Sequence, residues 1–168
     1  MRTEIKNIIL LIIFILLQVI WFNHILISGR YTPIIYIYPI LLLPIDKNES
    51  FNLIFAFVLG ISIDLISNTG GVFSATAVAV AYFRKIYFVL IKNPSQSLES
   101  IRINKISTIQ RITYYFIFIL FSQLLIYLLE SMHFAMLIQK FVLILINSII
   151  TLFIFLIADL FVNINTNN

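Results

Sequence analysis

The sequence predicts an all-helical integral membrane protein, a six-helix transmembrane bundle forming a single polytopic domain over residues 1–168. Three observations predict it. The chain is 61% hydrophobic and only 11% charged, whereas a soluble domain is about half apolar and about a quarter charged. So few polar groups cannot cover a small globule, and the surplus apolar surface needs lipid. Apolar runs follow one another at 8–27, 33–45, 51–67, 72–91, 112–129 and 136–162, and all but the short 33–45 approach or exceed the roughly 20 residues that a helix needs to cross a bilayer. They leave no room for a soluble domain. Lysine and arginine, finally, are unevenly shared among the connecting segments.

Composition also excludes chemistry. There are no cysteines, so disulfides, thiolate zinc sites, iron–sulfur clusters and cysteine nucleophiles are all ruled out. His24 and His133 are too far apart in sequence to make a histidine metal pattern. No cofactor is expected. The net charge of +4 sits mainly in one loop, and reads as a topology signal rather than a nucleic-acid footprint.

Taken in order, the first span (8–27) follows Arg2 and Lys6 as a signal peptide would. It is long enough to span, and Ile27-Ser28-Gly29 is a poor cleavage site, so a retained helix is expected. Trp21 suits an interface near its far end. The second span (33–45) is short and proline-rich. Pro33 fits a helix start, Pro39 should kink the helix, and Pro44 marks its exit. Asp46 to Ser50 is a polar loop. The third span (51–67) ends in the uncharged turn Asn68-Thr69-Gly70-Gly71. The fourth (72–91) is interrupted by Arg84 and Lys85, with Ile86 to Ile91 as an interfacial extension. Lys92 to Gln110 is the long polar segment. The fifth (112–129) and sixth (136–162) spans flank an outer loop containing Glu130 and His133, and a polar tail ends the chain.

With the N-terminus in the cytoplasm, Arg2, Lys6, Lys47, Arg84, Lys85, Lys92, Arg102, Lys105 and Arg111 fall inside. Only Arg30 and Lys140 fall outside. That bias supports six spans with both termini cytoplasmic. No internal repeat is visible, so an inverted-repeat transporter is not expected.

A charge within a span asks for a reason. Asp64 lies about one turn before the 68–71 turn, on the helix face that also carries Gly60 and Ser67. Gly60 lets a neighbouring backbone approach. The nearest donors to Asp64 are the amides of Gly70 and Gly71 and the hydroxyls of Thr69 and Ser74. The carboxylate reads either as a structural cap locking the hairpin or as a binding or proton-linked group. The fourth span carries the small-residue pairs Ala75/Ala79 and Ala77/Ala81, which suit close packing inside the bundle or against a partner. Arg84 and Lys85 lie roughly 20 Å along the helix from Gly71, at a depth where snorkelling to lipid headgroups is expected. Gln18, Gln123 and Asn147 are mid-span amides expected to bond to other helices. Asp159 is expected to face the interface. These groups make no catalytic set: there is no matched acid pair, Ser/His/Asp grouping or glycine-rich phosphate loop. A lipid-modifying enzyme therefore has no constellation to act with.

The segment Gly60-Ile-Ser-Ile-Asp64-Leu-Ile-Ser67-Asn-Thr-Gly70-Gly71-Val-Phe-Ser74-Ala75 resembles the signature of the rod shape-determining membrane proteins of the MreD family. Ala81-Tyr82-Phe83-Arg84 and Thr32-Pro33-Ile-Ile-Tyr36-Ile-Tyr-Pro39-Ile-Leu-Leu-Leu-Pro44 resemble its Bacteroidetes branch. The specific part of the likeness is Thr32 to Arg84; the remainder matches in hydropathy. The family's glycine and aspartate carry to Gly60 and Asp64, and its turn glycine to Gly70 or Gly71. Members often carry a histidine where this chain has Ser74, and no role of that histidine is carried over. The resemblance implies a non-enzymatic scaffold of the cell-elongation machinery in the bacterial cytoplasmic membrane. It would hold an MreC-like single-span protein and work with the MreB filament, the RodA polymerase and a class B penicillin-binding protein. It also implies a fold similar to the substrate-binding subunits of energy-coupling-factor transporters. A vitamin-binding subunit of that kind is the alternative reading. Against it, 8–27 lacks the small-residue stripe by which such subunits dock, and the outer loops are short.

Overall fold

The structure, a computed structural model, describes residues 13–14, 17–18, 32–43, 49–91, 107–131 and 134–164. Apart from Ile13, Phe14, Leu17 and Gln18, the first span (8–27) lies outside the described residues, as do Arg30 and the basic 92–106 segment. The described residues contain no strand. Their helices are α1 (Tyr38–Leu42), α2 (Glu49–Ser67), α3 (Val72–Ile91), α4 (Thr108–Ser131) and α5 (Phe134–Ile164). Four of them, α2 to α5, are long and apolar enough to cross a membrane.

Each long helix starts or stops where local chemistry allows. Asn68 takes a left-handed conformation (φ 55°), and the Thr69 N–H donates to the Asp64 carbonyl at 3.2 Å. This six-to-one bond is a Schellman ending for α2. Gly71 accepts the first intrahelical bond of α3, from the Ala75 N–H at 3.0 Å. α4 opens on a capping box: the Gln110 N–H donates to Ser107 Oγ at 3.3 Å, and the Ser107 N–H to Gln110 Oε1 at 3.2 Å. That box starts the helix four residues before the expected 112, so Arg111 is helical rather than part of the loop. Glu130, expected in the outer loop, ends the same helix. α3 continues through Arg84 and Lys85 without a break, because neither side chain disturbs the backbone ladder.

The second span is corrected. Residues 32–35 are extended, Tyr36 and Ile37 form a turn, and only Tyr38–Leu42 is helical. Pro33 does not start a helix, and Pro39 does not kink one. Pro39 occupies the first turn of α1, where a missing N–H costs nothing.

α2 packs on α3, α3 on α4 and α4 on α5, while α1 lies against α2 and α3. The short stretch 34–43 is the centre of the core: Tyr36, Ile37, Ile40 and Leu41 are all fully buried. Tyr38 stacks edge-on to Phe155 at 4.9 Å, and Tyr114 contacts Phe88 and Phe118, each at 5.1 Å. Along α3 the Ala77/Ala81 pair is buried, while Ala75 is exposed. Ile54 and Leu65 on α2, Leu90 on α3, Ile117 on α4, and Val142, Phe153 and Leu160 on α5 stand exposed. Large apolar side chains exposed in this number suit lipid rather than water.

Candidate functional site

Two polar constructions and one cavity concentrate the non-hydrophobic chemistry. The first is the hairpin of α2 and α3. An ideal Cβ on Gly60 would stand 2.4 Å from Ser74 Cα and 2.8 Å from the Phe73 carbonyl oxygen, so no larger residue fits without moving a backbone. This approach carries the N-terminus of α3 onto α2, within reach of Asp64. The Asp64 carboxylate accepts the Phe73 N–H at 3.0 Å, the Ser74 N–H at 2.8 Å and the Thr69 hydroxyl at 2.5 Å. Phe73 and Ser74 are the second and third residues of α3, whose amides have no partner within the helix. A carboxylate at a helix N-terminus also meets the positive end of the helix dipole. Asp64 is thus a capping side chain supplied from the preceding helix, 4% exposed. Its amide partners are those of Phe73 and Ser74, not those of Gly70 and Gly71. The two glycines instead turn the chain, at φ 65° and 98°, a region open to glycine without steric cost. The Ser74 hydroxyl donates to the Gly71 carbonyl at 3.0 Å. Ser67, expected on the same face, lines the cavity described below.

The second construction holds the segment 33–43, extended at its start and helical only over Tyr38–Leu42. Extended backbone inside an apolar bundle must find partners for its polar groups, and here side chains provide them. Gln18 Oε1 accepts the Ile35 and Tyr36 N–H groups at 2.8 and 3.3 Å, and its Nε2 donates to the Pro33 carbonyl at 3.4 Å. Thr151 Oγ1 accepts the Ile34 N–H at 3.2 Å. At the other end of the segment Arg84 donates to the Ile40 carbonyl at 2.5 Å and also to the Leu43 carbonyl. The Tyr114 hydroxyl donates to the Leu41 carbonyl at 3.1 Å. Arg84, expected to snorkel to headgroups, is 2% exposed and spends its fork on these carbonyls. Its neighbour Lys85 points outward and pairs with Glu49. Asp159, expected at the interface, is buried too. It accepts the Tyr38 and Tyr115 hydroxyls at 2.7 and 3.0 Å and lies 3.3 Å from Arg111 Nε.

The roles of Gln18, Thr151 and Asp159 were not readable from residue spacing, since their partners lie in remote elements. The capping box was readable, as Ser107 three residues before Gln110. Of the mid-span amides, Asn147 bonds across helices, donating to the Tyr127 hydroxyl at 3.4 Å. Gln123 Nε2 does not: it is buried without a hydrogen-bond partner among the described residues.

A cavity of about 480 Å³ lies at the end of the molecule that carries the 68–71 turn. Thr32, Pro33, Ser67, Thr69, Gln123 and Glu130 are among its lining residues. Arg84, Lys85, Arg111 and Asp159 gather at the opposite end.

These features define an all-helical protein with four helices fit to cross a membrane. Compared with protein-family models, with curated proteins and with solved structures, the chain finds no match.

Proposed function

We propose that this chain is a multi-pass protein of the bacterial cytoplasmic membrane that acts as a non-enzymatic scaffold of the cell-elongation machinery. It binds an MreC-like single-span protein and couples the MreB filament to peptidoglycan synthesis by RodA and a class B penicillin-binding protein. One observation carries the reading. The described residues of the stretch on which the MreD resemblance rests, Thr32 to Arg84, interlock. Gly60 admits Ser74, Asp64 caps α3, and Arg84 at the far end of α3 holds the carbonyls of Ile40 and Leu43. A likeness confined to hydropathy would scatter over lipid-facing positions, whereas these residues sit at the joints of the fold. The orientation follows from charge: the 68–71 turn is outside, and the end with Arg84, Lys85 and Arg111 is inside.

Depletion in a rod-shaped host tests this directly. Loss of the protein, verified by immunoblot, is expected to round the cells while membrane potential stays intact. Rods of normal width after verified depletion would contradict the scaffold.

A further inference from the structure

An ion pair interrupts the apolar exterior of the α2–α3 hairpin. Lys85 Nζ donates to Glu49 Oε2, and the two side chains stay 46% and 45% exposed. Gly60 and Ser74 close the hairpin toward its turn, and this pair closes it at the other end. α2 begins at Glu49, but α3 runs on past Lys85 to Ile91, roughly 9 Å further at 1.5 Å per residue. The outside of that extension is apolar: Ile86, Val89 and Leu90 are all exposed. On the opposite side of the pair Ile54 and Tyr82 are exposed as well. The two charges are therefore set into an apolar surface rather than at its edge.

An ammonium group has three N–H donors, and a carboxylate has two acceptor oxygens. Among the described residues the Lys85 and Glu49 side chains bond only to each other. Donors on Lys85 and an oxygen on Glu49 are left to find partners outside the chain, and polar groups left unpaired against lipid are costly. A phospholipid headgroup can satisfy both at once. Its phosphate accepts from Lys85 in a charge-assisted bond, and an ethanolamine ammonium donates to Glu49. A choline headgroup has no N–H to donate. A glycerol headgroup brings the phosphate without a cation, and Glu49 repels it.

We infer that Lys85 and Glu49 form a docking site for the zwitterionic headgroup of phosphatidylethanolamine, with its phosphate on Lys85 and its ammonium on Glu49. The inference rests on the membrane reading and not on the scaffold role, so isolation of the chain without an MreC-like partner would leave it standing.

The full chain in mild detergent is titrated with phosphatidylethanolamine, its N,N-dimethyl derivative, phosphatidylcholine and phosphatidylglycerol, all with the same acyl chains. Native mass spectrometry reads the lipid retained. Retention is expected to fall from phosphatidylethanolamine through the dimethyl derivative to phosphatidylcholine, as N–H donors are removed. Phosphatidylethanolamine is expected to bind at least tenfold more tightly than phosphatidylcholine or phosphatidylglycerol. Glu49→Gln is expected to move the preference to phosphatidylglycerol, and Lys85→Gln to retain phosphatidylethanolamine no better than phosphatidylcholine. An exposed pair adds little to folding, so both variants are expected to keep the parent's thermal midpoint. Equal retention of the four lipids by the parent chain would overturn the inference. So would a preference that neither substitution moves, the result expected of a pair that only ties α2 to α3. The lipid series on the parent chain needs no variant, so misfolding of either one leaves the test intact.

Discussion

Asp64 settles its own chemistry by what surrounds it. Three donors converge on one carboxylate: two backbone amides that α3 cannot satisfy itself, and the Thr69 hydroxyl. Hydrogen bonds to a charged acceptor are the stronger kind, and their loss leaves buried N–H groups unpaired. Asp64→Ala is therefore expected to lower unfolding stability in detergent by about 2–3 kcal/mol. Asp64→Asn keeps an oxygen for the cap and is expected to lose only about 1 kcal/mol. Unfolding of both variants by SDS titration measures the ordering, and an alanine variant as stable as the parent would refute the cap. This much was legible in sequence, because the parts are close together: Gly60 four residues before Asp64, and glycines at the turn. The identity of the amides was not legible. Which N–H groups face a carboxylate depends on how far α3 tucks over α2, and that depends on the contact between Gly60 and Ser74.

At the scale of elements the decisive piece is the segment 33–43, which the prolines and apolar residues predict as a short spanning helix. Pattern alone could not separate that from an unwound stretch. The partners that make unwinding tolerable come from elsewhere in the chain, Gln18 from 17 residues before Ile35 and Thr151 from 117 residues after Ile34. Arg84 lies 44 residues beyond Ile40, and its guanidinium reaches two carbonyls at once. A lysine presents one point charge in place of a fork. Arg84→Lys is expected to release one carbonyl and loosen α1. Hydrogen exchange at the Leu41 and Leu43 amides should then quicken about tenfold, equivalent to ~1.4 kcal/mol of local stability. Unchanged exchange at both amides would mean that Arg84 does not hold the segment. The ends of α4 illustrate the opposite case. Its capping box lies within four residues, and the helix starts at Thr108 rather than at 112 because that local cap, not the onset of the apolar run, sets its first turn.

At the scale of the whole molecule, the described residues form a hydrophobic body in which buried polar side chains tie the elements together. Buried polar side chains join α2 to α3, α3 to α1, α1 to α4 and α5, α4 to α5, and Gln18 to the extended stretch before α1. Its outward-facing side chains, by contrast, are largely apolar among the described residues. Its orientation is testable because the chain has no cysteine of its own. Glu130→Cys is expected to react with a membrane-impermeant maleimide added to intact spheroplasts, and Ser97→Cys only after permeabilisation. The reverse pattern would invert the topology. The central claim concerns what the apolar exterior holds. The most direct measurement is affinity isolation of the tagged, full-length chain from its native membranes in a mild detergent, with mass spectrometry of the bound proteins. The scaffold account predicts near-stoichiometric recovery of an MreC-like single-span protein. Recovery of the chain alone, or with the energising subunits of a transporter, would contradict it.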